Sequence, residues 1–197
     1  MYNISNPQNT FIHEPHFQNR FLDIKDIKKL RDNLISIPYQ HAVITKLQES
    51  NDYRKSKIKW IPHLKEWDWL FEKIIKYVQD INKKSYNFSL ATLYENIQYT
   101  EYSSNYKGHY GWHMDINGDY PFNLRKISVS IQLSSPDEYE GGDLEIFNGT
   151  KLDTPFIVPK TRGTICIFPS FLLHRVTPIT KGTRRSLVVW VGGSHFN

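Results

Sequence analysis

The stretch GTICIFPSFLLHRVTPITKGTRRSLVVW, residues 163–190 of a 197-residue chain, reads as strand, turn, strand, turn, strand. Ile165-Cys166-Ile167-Phe168 is a short apolar run bounded by turn-forming residues, the pattern of a buried strand opened by Gly163. Phe168-Pro169-Ser170 turns it, His174 lies on the return strand, residues 178–182 form a second turn, and Arg184 enters the last strand. Upstream, residues 89–101, 126–133, 143–147 and 154–158 carry the same β signal, with Gly141-Gly142 and Asn148-Gly149 at tight turns. Seven or eight such strands suit a double-stranded β-helix, a jelly roll of the cupin kind.

Before residue 88 the periodicity changes. Ile24, Ile27, Leu30, Leu34 and Ile37 recur at spacings of three and four, which predicts an amphipathic helix over residues 23–37, ended by Pro38. From Pro62, Leu64, Trp67, Phe71, Ile74, Val78 and Ile81 form the stripe of a longer helix. Between them, residues 52–61 alternate basic with apolar side chains, either a strand lining a peptide or nucleic-acid channel or an edge strand blunted by lysines. The expected architecture is α+β and mainly β. A single domain spans 1–197, with helical support in 1–87 and the β-helix core in 88–197.

Composition narrows the class. Aromatic residues make up 14% and charged residues 23%, which argues for a folded β-rich chain rather than a disordered one. The formal net charge of +5 comes from basic residues that are spread rather than clustered, a weak signal for an acidic partner. No apolar run approaches membrane-spanning length, and Met1-Tyr2-Asn3-Ile4-Ser5-Asn6 lacks a charged and then apolar leader, so a soluble cytoplasmic protein without a membrane partner is expected. The single cysteine, Cys166, forbids an intramolecular disulfide and reads as a buried, inert thiol.

His113 and Asp115 stand two apart in Tyr110-Gly111-Trp112-His113-Met114-Asp115. On a strand such residues share a face and offer an imidazole nitrogen and a carboxylate oxygen to one ion. His174 supplies a third candidate ligand. Two histidines and a carboxylate on one face of an octahedron leave open positions and suit ferrous iron, whereas zinc is more often closed by a fourth protein ligand or holds a single water. Arg184 adds a planar fork for a carboxylate. 2-Oxoglutarate meets both needs, with a keto-acid end for iron and a distal carboxylate for the arginine.

These segments, together with Ser134-Ser135-Pro136-Asp137-Glu138-Tyr139-Glu140-Gly141-Gly142-Asp143-Leu144, resemble the iron(II) and 2-oxoglutarate-dependent dioxygenases of the prolyl 4-hydroxylase type, and most closely the bacterial and phage PKHD-type hydroxylases. The resemblance covers the C-terminal half. It implies His113, Asp115 and His174 as catalytic metal ligands, and Arg184, ten positions after His174, as the basic residue that binds the cosubstrate. Arg185 should face the other way. It also implies a tyrosine hydroxyl on the cosubstrate, with Tyr102 the best match and Tyr110 the alternative. The implied cofactor and cosubstrates are Fe(2+), 2-oxoglutarate and O2, and the resemblance allows L-ascorbate as an auxiliary reductant. Because Asp115 is present, oxygen transfer is expected rather than halogenation.

The implied reaction couples decarboxylation of 2-oxoglutarate, to succinate and CO2, with hydroxylation of an unactivated carbon. The leading substrate is a prolyl residue of a protein or peptide, with Trp112 and Tyr139 as aromatics able to grip its ring. The alternative is a free amino acid or another small metabolite, anchored by Arg125 or Arg162. A catalytically silent barrel acting as a binding module would not need His113, Asp115, His174 and Arg184 together. Nucleic-acid demethylation is disfavoured, because Trp190-Val191-Gly192-Gly193 lacks the second arginine of that class. Recognition loops are expected at residues 117–123 and before Trp60. Thr161 and Arg162 are further candidates for the pocket border, while His13, His16 and His109 are left outside the metal set.

Overall fold

A computed structural model describes residues 14–41, 53–147 and 154–194. In chain order the first elements are β1 (His16–Gln18), α1 (Ile24–Leu34), β2 (Gln40–His41), β3 (Arg54–Lys55), β4 (Lys57–Ile61), α2 (Asp68–Ile81), β5 (Leu90–Thr92), β6 (Ile97–Ser103) and β7 (His109–His113). They are followed by β8 (Arg125–Gln132), β9 (Tyr139–Gly141), β10 (Leu144–Ile146), β11 (Phe156–Ile157), β12 (Ile165–Pro169), β13 (His174–Val176) and β14 (Ile179–Gly193).

The larger sheet runs β1-β12-β8-β14-β6-β4-β2, with β5 and β9 also paired to β14, and the smaller runs β11-β10-β13-β7-β3. Neighbours such as β8 and β14 are antiparallel but far apart in sequence, with Leu187 opposite Ile131 and Val189 opposite Val129. That interleaving is what makes the double-stranded β-helix core.

Period-two alternation divides the larger sheet into two faces. Ile127, Val129 and Ile131 of β8, Ile165 and Ile167 of β12, and Leu187, Val189 and Val191 of β14 form one core with α1 and α2. Cys166 and Phe168 of β12 and Tyr102 of β6 belong to a second core with Leu144, Ile146 and Val176 of the smaller sheet. The layers are therefore helices, larger sheet, smaller sheet. Each fully buried Leu or Ile contributes roughly 1.5–3 kcal/mol to holding them together.

Helix α1 begins at a capping box, in which Asp23 accepts from the Asp26 N–H at 2.8 Å and the Asp26 carboxylate accepts from the Asp23 N–H at 3.2 Å. It buries Ile27, Leu30 and Leu34 but leaves Ile24 81% exposed, because Ile24 lies roughly a quarter turn off that stripe. The helix ends at Leu34, and Ile37 packs on the core from beyond it. Helix α2 starts at Asp68 rather than near Pro62, after a 3-10 turn over Lys65–Trp67 that leaves Leu64 52% exposed.

Two expectations change. Of the alternating segment before Ile61 only the first part is an edge strand: β3 ends the smaller sheet, whereas β4 lies between β2 and β6, and Lys59 is only 8% exposed, its Nζ donating to the Leu34 carbonyl at 2.8 Å. The expected turn over residues 178–182 is not one: from Ile179 it is the start of β14, which pairs first with β9 (Gly182 opposite Tyr139) and then with β6 (Thr183 opposite Ser103). The switch between partners falls at Gly182, whose φ of +71° and distance of 2.0 Å from a built Cβ to the Glu138 carbonyl oxygen both require glycine. The described part of the first 87 residues thus supplies four strands as well as the helices. The Asn148-Gly149 turn lies outside the described residues.

Candidate metal centre and its cavity

His113 is the last residue of β7, and Asp115 lies just beyond the strand rather than on it. The ladder to β13 stops at the pair His113 and His174, so nothing holds the chain extended past that point. Asp115 is placed instead by its N–H, which donates to the Ser170 carbonyl at 3.0 Å, and by its carbonyl, which accepts from Arg125 Nη1 at 3.0 Å. His174 opens β13 directly opposite His113, with ring centroids 4.1 Å apart.

Each histidine tautomer follows from its neighbour. His113 Nδ1 is 2.8 Å from the Gly111 carbonyl and His174 Nδ1 is 2.9 Å from the Leu172 carbonyl. A carbonyl only accepts, so Nδ1 of each ring carries a proton, and the neutral imidazole with that tautomer has its lone pair on Nε2. The Nε2 atoms converge on Asp115, at 3.7 Å from Oδ1 for His113 and 3.4 Å from Oδ2 for His174. Ser128 donates to Asp115 Oδ2 at 2.6 Å and is itself 3.0 Å from Ser170 Oγ.

Burial by itself would raise the Asp115 carboxyl, but His174, His113 and Arg125 beside it, with the Ser128 hydrogen bond, hold it below its ordinary 3.8. His113 is pushed below its ordinary 6.5 first by burial and then by His174. An ionised carboxylate and neutral imidazoles are the protonation states a metal requires. The ligand atoms of these residues lie within 4.8 Å of one another, a donor set that fits ferrous iron with open positions.

The three residues face a cavity of about 280 Å3, small for a ligand pocket. At one side Arg184, 4% exposed, stands opposite Tyr102 in the β14 and β6 register, with its guanidinium 5.8 Å above the Tyr102 ring and Nη1 donating to Ser186 Oγ at 3.2 Å. Among the described residues no carboxylate pairs with Arg184. A buried guanidinium without a counter-ion is suited to an incoming anion, which is what a dicarboxylate cosubstrate offers. Tyr110 also lines the cavity, stacked on His113 at 3.5 Å. Burial pushes its hydroxyl up to about 12, so it remains a donor. Both expected tyrosines therefore reach the cavity, Tyr102 beside Arg184 and Tyr110 against the metal ligands.

Other expected residues fall elsewhere. Arg185 points away from Arg184 and pairs with Glu101. Tyr139 is buried and accepts from Gln132 Nε2 at 3.0 Å, while the Trp112 ring carries Arg175 at 4.6 Å, and neither lines the cavity. Arg162 is paired with Glu138 away from it, and Thr161 is not in its wall. Arg125 is in the wall but gripped by Glu95 and stacked 3.8 Å from Trp190 and 4.4 Å from Phe122. Of the loop over residues 117–123, Asn117 and Phe122 border the cavity. His16 lies on β1, not in a loop, and His109 Nδ1 contacts the Lys107 carbonyl; His13 is outside the described residues.

Sequence reasoning missed Ser128 and Glu95, and it did not single out Arg54 from its basic segment. Ser128 had one usable signal, since Ser128, Ser130 and Gln132 alternate with isoleucine and valine and so share the inward face of β8. Glu95 had none, because its partner Arg125 lies 30 residues away, whereas Arg54 belongs to the basic alternating segment read as a strand lining a channel or an edge strand.

A jelly-roll core that carries two histidines and a carboxylate at its mouth defines a class of metal-dependent oxygenases. Residues 97–192 match the model of the 2OG-Fe(II) oxygenase superfamily. A PKHD-type hydroxylase of Hyphomonas neptunium is 40% identical over 85 residues, covering 42% of this chain and 37% of that protein. The chain thus spans well under two thirds of that relative's length. A prolyl-4-hydroxylase structure from Pseudomonas putida superposes with a TM-score of 0.70 at 19% identity, covering 92% of this chain and 94% of the other. A Trichoplax adhaerens prolyl hydroxylase, solved with a hypoxia inducible factor peptide fragment, gives a TM-score of 0.73 at 17% identity over 92% and 84%. Residues 97–192 thus match the 2OG-Fe(II) oxygenase superfamily, and the chain is similar to the PKHD-type hydroxylases.

Proposed function

We propose that this chain, acting as one domain, is an iron(II)- and 2-oxoglutarate-dependent hydroxylase of a prolyl residue in a protein or peptide. The observation that carries the reading is the meeting, in one cavity, of His113, Asp115 and His174 with a buried Arg184 that has no carboxylate partner among the described residues. The prolyl substrate is supported by the PKHD-type and prolyl hydroxylase relatives, one of them solved with a peptide.

Ferrous iron with 2-oxoglutarate and O2 supplies the oxidation that releases succinate and CO2 and places one oxygen atom on a C–H bond. His113 Nε2, His174 Nε2 and an Asp115 oxygen would hold the ion. Ser128 and the two backbone carbonyls on the Nδ1 atoms orient these ligands, and such outer contacts typically change metal affinity 10- to 100-fold. Arg184 would grip the distal carboxylate of the cosubstrate, with Tyr102 and Tyr110 as hydroxyl donors. Trp190, Phe122 and Met114 would exclude water from the reacting carbon. A cytoplasmic setting belongs to the same proposal, supported by the buried Cys166 thiol.

A free amino acid or other small acid is the second reading, favoured by the modest volume of the cavity. The test is succinate release from 2-oxoglutarate by protein loaded anaerobically with iron, after air is admitted, with and without proline-rich peptides. Peptide-stimulated release together with a gain of one oxygen on proline is expected. His174→Ala abolishes it. Wild-type turnover by that variant rejects the metal assignment, and release that no peptide stimulates moves the substrate to small molecules.

A further inference from the structure

The cavity contains a second guanidinium that the proposed cosubstrate leaves unmatched. Arg54, on β3 at the end of the smaller sheet, lines the same space as the three metal-ligand candidates. Its Nε donates to Ser56 Oγ at 2.9 Å, its Nη2 donates to Gln98 Oε1 at 2.8 Å, and its Cζ lies 4.6 Å over the Tyr110 ring. All of these partners are neutral. Arg125, Arg162, Arg175 and Arg185 each hold a glutamate instead. Among the described residues lining the cavity, only Arg54 and Arg184 are arginines without a carboxylate.

Charge balance separates the two. In the proposed loaded centre, the charges of the ferrous ion and Arg184 are met by Asp115 and the two carboxylates of 2-oxoglutarate, and Arg125 is met by Glu95. The charge of Arg54 is left over. In a small cavity walled by protein such a charge acts on an anion more strongly than it would in bulk water. Arg54 is also near the chemistry, since a single ring separates it from a metal-ligand candidate: Tyr110 is 4.6 Å from Arg54 and 3.5 Å from His113.

Resting on the hydroxylase reading above, we propose that Arg54 sets the specificity of the primary-substrate subsite by binding a carboxylate close to the carbon that is hydroxylated. That carboxylate belongs either to an acidic residue beside the target in a peptide or to a small target molecule itself. Nη1 makes no hydrogen bond among the described residues, so it and Nη2 present a two-point grip.

Trp60 and Trp190 line the cavity and give a binding signal that does not depend on turnover. Protein loaded anaerobically with ferrous iron and 2-oxoglutarate is titrated with matched acid and amide probes while tryptophan quenching is followed. The pairs are peptides containing Pro-Glu against Pro-Gln, N-acetylproline against N-acetylprolinamide, and small non-prolyl acids against their amides. In at least one pair the acid binds about 10- to 100-fold more tightly. Arg54→Gln abolishes that preference, Arg54→Lys keeps part of it, and the dissociation constant of 2-oxoglutarate is unchanged in both. No preference in any pair, absence of binding included, overturns the proposal. So does an Arg54→Gln loss that falls on 2-oxoglutarate instead. A preference confined to non-prolyl acids keeps the role of Arg54 and rejects the prolyl substrate, while the pair that responds identifies the source of the carboxylate.

Discussion

Adjacent arginines with opposite fates show how much a single position on a strand decides. Arg184 turns into the cavity with no counter-ion among the described residues, while Arg185 turns out to Glu101. Arg184→Ala is therefore expected to raise the 2-oxoglutarate concentration needed for half-maximal turnover at least about tenfold, the worth of one charge-assisted contact. Arg185→Ala should leave it nearly unchanged. Steady-state kinetics with both variants checks this, and equal effects would mean that the register of β14 is misassigned. This contrast was legible in the sequence, because alternation on a strand needs no knowledge of the partner. The Ser128 bond to Asp115 was not, since it joins residues whose strands meet only through the fold.

His113 leads to a second prediction at this scale, for the metal-free protein. Its folded pKa lies below the ordinary 6.5 because burial disfavours the cation. As pH falls below about 6.5 the unfolded chain takes up that proton while the folded chain resists, so stability is lost with acidification. The depressed Asp115 adds a loss in the same direction at lower pH, below its ordinary 3.8. Urea unfolding at neutral and mildly acidic pH should show a smaller acid loss for His113→Gln than for the wild type. Identical losses would remove His113 as the cause.

Among the elements, β14 carries the most, because its 15 residues pair with β9, β6, β8 and β5 in turn. Gly182 is where it changes partner. Gly182→Ala should cost about 1–3 kcal/mol from the left-handed backbone alone, with more from the clash at the Glu138 carbonyl. Chemical denaturation measures this, and a loss below about 0.5 kcal/mol would show that the switch tolerates a side chain. The same element explains the misread turn. Pro178 and Gly182 carry turn chemistry, but β9 supplies a partner that keeps the segment extended, and pairing outweighs local propensity. The helices show the reverse balance: their stripes and the Asp23 cap are local signals, and only the ends departed from expectation, with Ile24 and Leu64 exposed and Ile37 beyond the helix.

For the whole molecule, a ligand that binds only the folded state raises its stability by mass action. Ferrous iron and 2-oxoglutarate, added without oxygen at about a hundredfold excess over their dissociation constants, should each add roughly 2.7 kcal/mol. Thermal unfolding of the wild type should shift upward with the pair, and His174→Ala should lose the iron-dependent part. An equal shift in the variant would place the metal elsewhere. No helix among the described residues is long and apolar enough to cross a membrane.

What the sequence determined by itself was whatever depends on spacing along one chain. The period-two strands and the two amphipathic stripes are of this kind, whereas Asp115, past the end of β7, is brought beside His113 by its contacts with Ser170 and Arg125. Only the tertiary structure decided which charges are neutralised. Arg125 and Arg162, equally plausible anchors in the sequence, are satisfied by Glu95 and Glu138, and Arg54, lost in a run of bases, is left facing the cavity without a carboxylate. The reason is physical: alternation follows from local geometry, whereas the pairing and burial of a charge depend on atoms that only folding brings together.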